Sequence, residues 1–288
     1  MNAVIGLAVT IIMVFGGYIL AGGHLEIITH ALPFELMMIG GAAVGAFLAG
    51  NDMTTIKHSF GDVVAAFKGP KWKKSDYQDL LCLMHELLNI LKKNPVDIES
   101  HIEAPQDSEI FARYPKILKD ESAIEMICDT IRSMIMNFDN VHQVEELLEK
   151  QLDSLLEEKL HGSHALQNMA DALPALGIVA AVLGVIKTMS SIDKPPEILG
   201  GMIGGALVGT FLGVFLAYGV VGPFANRVKS IRIEEHNFYS MIGEVLVSNL
   251  HKNPVNICVE VARRHAPTRV RPTFNEVEEA IRGLKQVA

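Results

Sequence analysis

Charge is the scarce ingredient of this 288-residue chain. Asp, Glu, Lys and Arg make up 20% of it, less than the roughly 25% of an ordinary soluble domain. Hydrophobic residues make up 49%, which excludes a disordered chain, because disordered segments lack apolar side chains to bury. An excess of positive charge is also missing. The 33 acids outnumber 25 bases, for a net charge of −8, and this argues against an electrostatic nucleic-acid binder. Cysteine is rare: Cys82, Cys128 and Cys258 are odd in number, far apart and without a CxxC pair. They read as buried thiols in a reducing compartment, not as a disulfide framework or ligand set. Catalytic signatures are lacking too. There is no nucleophile elbow and no HExxH, and Gly204 to Gly209 followed by Thr210 resembles a phosphate loop without its lysine, set in an apolar stretch. The pair His161 and His164 has no third ligand nearby and reads as a solvated loop. The sequence therefore predicts no enzyme, no cofactor and no metal site.

What is present is apolar sequence, and it is pooled. Ala3 to Gly23 carries no charge, Ile27 to Asn51 carries only Glu35, Ala172 to Ile192 only Lys187, and Ile198 to Asn226 none. A membrane-crossing helix needs about 20 mainly apolar residues, and a buried helix of a soluble protein rarely stays apolar all round for so long. The expectation is an all-α polytopic membrane protein with four transmembrane helices and a helical cytoplasmic domain. The first apolar stretch lacks a basic start and outruns a signal-peptide core, so it reads as a retained span.

Basic residues set the topology. Thirteen lie between Asp52 and Ala170 and ten between Pro223 and Ala288, while the turn from His24 to Pro33 has none. The positive-inside tendency then places both large polar segments, and both termini, in the cytoplasm. The expected division is 1–51 for spans one and two, 52–170 for the cytoplasmic domain, 171–226 for spans three and four, and 227–288 for cytoplasmic C-terminal helices. Segment 52–170 holds 21 acids and 13 bases, an excess equal to the net charge of the whole chain. Within it, a helix is expected from Ser75 to Asn94, then a loop with Pro105 and Pro115, then helices from about Glu121 to Asn137 and Val141 to Leu160. In the tail, helices are expected up to Leu250, after Asn253-Pro254, and from about Phe274 to Lys285.

Few residues inside the spans can do chemistry. Gly201, Gly205, Gly209 and Gly213 recur every four residues, as do Gly41, Gly45 and Ala49. Small residues at that spacing let helices approach closely, either within one chain or between subunits. Thr210 lies near the middle of the fourth span, Tyr218 near its inner end, and Lys187 near the outer end of the third, within reach of the interface. Pro174 and Pro223, at the inner ends, each remove a helix hydrogen bond and can end, kink or hinge a helix. No acid is expected near the middle of a span, since Glu35 stands near the start of the second. Ion pathways usually need an ionisable group at membrane depth, so a conducting assembly would take its carboxylate from a partner chain.

Two apolar stretches carry a family resemblance. Leu173-Pro-Ala-Leu-Gly-Ile-Val-Ala-Ala-Val-Leu-Gly-Val-Ile186 and Val208-Gly-Thr-Phe-Leu-Gly-Val-Phe-Leu-Ala-Tyr-Gly-Val-Val-Gly-Pro223 resemble the paired third and fourth spans of the MotA/PomA family of flagellar stator subunits. Asp107 to Pro115 and Arg271 to Glu278 are similar to cytoplasmic patterns of that family. The resemblance implies a homopentameric ring in the bacterial inner membrane around MotB, which carries the membrane aspartate, with torque passed to the rotor protein FliG. It implies that Pro174 and Pro223 couple ion flow to domain movement and that Thr210 faces the ion path. It also implies that Lys92 and Glu99 face the rotor, although a lysine replaces the usual arginine, one residue is deleted between them, and Lys93 can substitute. Sodium-type relatives place a threonine at Ala181; here Ala180-Ala181 offer no ligand, so protons are the expected ion. Alternative readings are an ExbB- or TolQ-like proton-channel subunit, or a non-conducting membrane scaffold.

Overall fold

A computed structural model describes residues 2–136 and 140–287, and every element among them is helical. The contacts divide the chain into two units, 1–69 with 160–231 and 70–159 with 232–288.

The first unit holds the apolar helices. α1 (Asn2–Leu20) and α2 (Leu25–Gly50) are followed by α3 (Met53–Lys68), which the sequence reading passed over. Asp52 caps α3, its carboxylate accepting from the amides of Thr54 and Thr55 at 3.3 Å each, and hydrogen bonding to the Thr55 side chain first, then to these amides, holds its pKa below the usual range. Gly69, at φ 86°, ends α3 in a conformation that L side chains disfavour. α9 (Val141–Met189) and α10 (Pro196–Phe215) supply the remaining long apolar stretches, with a π-helical segment, Leu216–Val221, leading into α11 (Gly222–Leu250). Four helical stretches are thus long and apolar enough to cross a membrane.

The second unit is built on α4 (Lys74–Lys93), whose Leu80, Leu81, Leu83, Met84, Leu87 and Leu88 are fully buried. α5 (Pro95–Glu103), α8 (Glu121–Met136), α12 (Val255–His265) and α13 (Phe274–Val287) pack around it or around one another. Trp72 stacks on Phe238 with ring centroids 3.8 Å apart. Asp120 ties three parts of this core together: it accepts from the Ala123 amide at 2.9 Å and from the Tyr239 hydroxyl, and it pairs with Lys71. Cys82 and Cys128 are buried free thiols, and burial pushes both pKa values up to about 12.

Three expectations need correction. The loop with Pro105 and Pro115 is a 3₁₀ turn (Pro105–Asp107) and two short helices, α6 (Glu109–Ala112) and α7 (Pro115–Leu118). Proline at the first position of a helix loses no internal hydrogen bond, so these prolines start turns where a loop was expected. The expected helix end at Leu160 is absent, because α9 continues to Met189. His161 and His164 are accordingly helical, and Gly162 between them sits against Asp62 and Ser59 of α3. A glycine inside a helix costs about 1 kcal/mol relative to alanine; here the missing Cβ is what lets α3 approach. The expected end at Asn137 lies outside the described residues.

One ion cluster makes a pH prediction. Glu260 accepts from Arg263 at 2.7 and 2.8 Å and from Arg264 at 2.7 Å, which lowers its pKa from 4.5 to about 2. A depressed carboxylate contributes stability above its unfolded pKa and loses it as pH falls toward the folded value. The melting temperature of the purified chain is therefore expected to drop as pH falls from 4.5 toward about 2. Glu260→Gln should already melt lower at neutral pH and decline less steeply across that window. Identical slopes in the two proteins would contradict this.

Candidate ion-path site

Where α9 crosses α10, the two backbones are in close contact. Leu173, Gly177 and Ala180 of α9 face Gly209 and Gly213 of α10. A Cβ at Gly213 would stand 2.6 Å from the Leu173 carbonyl oxygen and 2.8 Å from the Gly177 Cα. A Cβ at Gly184 would likewise stand 2.6 Å from the Ala206 methyl. Backbones can approach this closely only when side chains are hydrogen or methyl, and in an apolar solvent such packing is what holds helices together.

α2 also packs on α10. Its buried stripe is Glu35, Ile39 and Ala43, spaced four apart so that they share one face. Glu35 is only 6% exposed, and its Oε2 has no hydrogen-bond partner. Gly209 makes room for it, since a Cβ there would stand 2.6 Å from that Oε2 and 3.3 Å from the Ala180 methyl. Glu35 is the eleventh residue of the 26-residue α2, about 15 Å along the helix from its first residue at 1.5 Å per residue. The expectation that no acid lies near the middle of a span is thereby corrected. Nothing in the linear pattern marks Glu35, because Ile39 and Ala43 are apolar like most of the span; its burial comes from packing against Gly209 of α10.

The other candidates fall into place around this crossing. Ala180 is 1% exposed, and Ala181 and Thr210 are partly exposed, each next in sequence to a contact residue. Of the four glycines, Gly209 and Gly213 make close contacts, a Cβ at Gly205 would stand 3.8 Å from the Ala31 methyl, and a Cβ at Gly201 would meet open space. Neither proline ends a helix. Pro174 lies inside α9, and Pro223 is the second residue of α11, directly after the π-helical segment. There the Gly222 amide donates to the Ala217 carbonyl, five residues back. Such a wider turn is the local adjustment that accommodates a proline's missing amide. Tyr218, in the same segment, is 72% exposed and packs on nothing in the core.

In the other unit, Lys92 and Lys93 end α4 and Glu99 lies on α5, all three exposed. The Lys92 ammonium donates to the Asn253 carbonyl, so it is partly committed to the turn before α12. Among the described residues, no three His, Cys, Asp or Glu side chains are grouped to hold a metal.

Comparison with known proteins decides the family. Residues 4–95 match the family described as Motility protein A N-terminal, and residues 120–240 match the MotA/TolQ/ExbB proton channel family. Motility protein A of Salmonella typhimurium is 37% identical over 286 residues, covering 99% of this chain and 96% of that protein. The chain belongs to the motility protein A family.

Motility protein A of Escherichia coli is similar at 36% identity over the same coverage, and chemotaxis protein LafT of Vibrio parahaemolyticus at 35% over 97% of this chain and 98% of that one. Among solved structures, C. jejuni MotAB aligns with a TM-score of 0.72 at 17% identity, covering 95% of this chain and 98% of that one. At that identity the likeness speaks for the fold. As a member of that family, the chain is a multi-pass membrane subunit of the flagellar stator, a component of a proton channel and not an enzyme.

Proposed function

We propose that this chain assembles as a homopentamer in the bacterial inner membrane around a MotB-like subunit that carries a membrane aspartate. Both termini and segments 52–170 and 227–288 face the cytoplasm, and spans 1–51 and 171–226 build the ring. Protons pass between the partner's carboxylate and the face bearing Thr210, Ala180 and Ala181. Pro174 and Pro223 transmit the resulting movement, and Lys92, Lys93 and Glu99 meet the rotor protein FliG. Gly201, where an added Cβ would meet only open space, is available to a second copy.

The observation that carries this reading is the identity to a motility protein A along 99% of the chain, spans and helical unit alike. An ExbB- or TolQ-like role would account for the match over 120–240 but not for the one over 4–95.

Deletion of the gene is expected to abolish swimming in soft agar, and this chain co-expressed with its MotB-like partner to restore it. Swimming speed should follow external pH and ignore external sodium. Normal swimming in the deletion strain would remove the motor role, and speed that tracks sodium at fixed pH would overturn the choice of proton.

A further inference from the structure

The carboxyl of Glu35 has no part in the roles above, and its setting is chemically expensive. An ionised carboxylate away from water and without a partner is strongly disfavoured, so such a group takes up a proton or is served by one. A second observation says how a proton would reach it. Glu35 lines a cleft of about 680 Å³ at the end of the bundle where α2 and α10 begin and α9 ends. Glu26 and His30 of α2 and Lys187 of α9 bring charge or titratable groups to that cleft, and α10 contributes none to its lining. The unpartnered oxygen itself lies against Gly209, the residue before Thr210.

We propose that Glu35 is a protonatable station of the channel, belonging to this chain and distinct from the carboxylate supplied by the partner. The idea rests on the proton-channel reading. The Glu35 carboxylate takes a proton from a hydronium ion in the cleft, forming the neutral acid and leaving water. The neutral acid then releases that proton through water toward the partner's membrane carboxylate and returns to the anion. Glu26 and His30, nearer the start of α2, and Lys187 of α9 line the same cleft, so polar side chains extend from Glu35 toward that end of the bundle. Gly209 is part of the device, because any side chain there would displace the carboxyl.

The test uses the complete chain purified with its MotB-like partner in liposomes, with proton uptake read by an internal pH dye. Glu35→Gln keeps the shape but cannot carry the proton. It is expected to assemble in wild-type yield and to lose at least tenfold in flux, with Glu35→Asp retaining part of it. Infrared titration of the wild-type complex should show a carboxylic C=O band that fades as external pH rises and that is missing in Glu35→Gln. Glu35→Gln flux equal to wild type, with the same pH profile, overturns the proposal and leaves the channel reading intact. If Glu35→Gln does not assemble, Glu35→Asp takes its place: a C=O band in wild type that shifts in Glu35→Asp and follows external pH supports the proposal, and a band indifferent to pH overturns it. A wild-type complex without flux would sink the channel reading and this proposal with it.

Discussion

Gly213→Val is expected to abolish swimming and to prevent recovery of a folded, membrane-inserted protein. The introduced Cβ would lie 2.6 Å from the Leu173 carbonyl oxygen and 2.8 Å from the Gly177 Cα. Both are backbone atoms of a continuous helix, so neither can turn aside, and α9 and α10 must separate along the whole crossing. Overpacking typically costs about 1–3 kcal/mol. Here the parted helices also lose the contacts at Gly177, Ala180 and Gly209, and hydrocarbon tails give no hydrophobic force to restore them. Gly61→Ala is the control. Nothing lies within 4 Å of a Cβ there, and the glycine is inside α3, so alanine should raise stability by roughly 0.5–1 kcal/mol. Membrane-fraction yield and melting of the detergent-purified protein separate the two. Equal yield and melting for Gly213→Val and wild type would show that the crossing is looser than described.

Pro174→Ala should move stability and function in opposite directions. Pro174 sits inside α9 with no amide to donate to the Ala170 carbonyl, and Ala170 is buried at 2% exposure. Proline in a helix interior costs about 3 kcal/mol relative to alanine, so the alanine variant should melt no lower than wild type and is expected to melt higher. The residue before it, Leu173, presents its carbonyl to Gly213, so the weak point of α9 coincides with a close contact to α10. If that weak point is where ion flow bends the helix, the stiffer variant should swim several-fold more slowly or not at all. Melting of the purified protein and tethered-cell rotation speed report the two effects. A variant that is both more stable and fully motile would assign Pro174 a purely local role.

The sequence made the four spans legible for a plain physical reason. Apolar solvent tolerates so little charge that Ala3 to Gly23 and Ile198 to Asn226 have none. The helix at Lys74–Lys93 was equally readable, because its leucines follow the helical period and Asn94-Pro95 stops it. What escaped was decided by contacts distant in sequence. The segment around Gly162 looks like a loop until α3 brings Asp62 against that glycine, and α3 gains its buried face from residues as remote as Leu166, Ala225 and Val228. Glu35 reads as a stray acid near a helix start because its burial depends on Gly209, which belongs to another helix. The prolines at 105 and 115 read as breakers because first-turn and interior positions look alike in a linear string. Within the site, Gly209 and Gly213 were found by their spacing. That Gly209 receives both Glu35 of α2 and α9, while Gly213 receives α9, follows from the packing alone.

The central claim is that this chain forms a proton path only together with a partner that brings a membrane carboxylate. The most direct measurement is proton uptake by sodium-free liposomes holding the purified complex, driven by an applied membrane potential. The claim predicts uptake well above that of empty liposomes, unchanged by added sodium, and abolished when the partner's membrane aspartate is replaced by asparagine. Uptake no greater than in empty liposomes, or uptake that appears only with sodium, would contradict it.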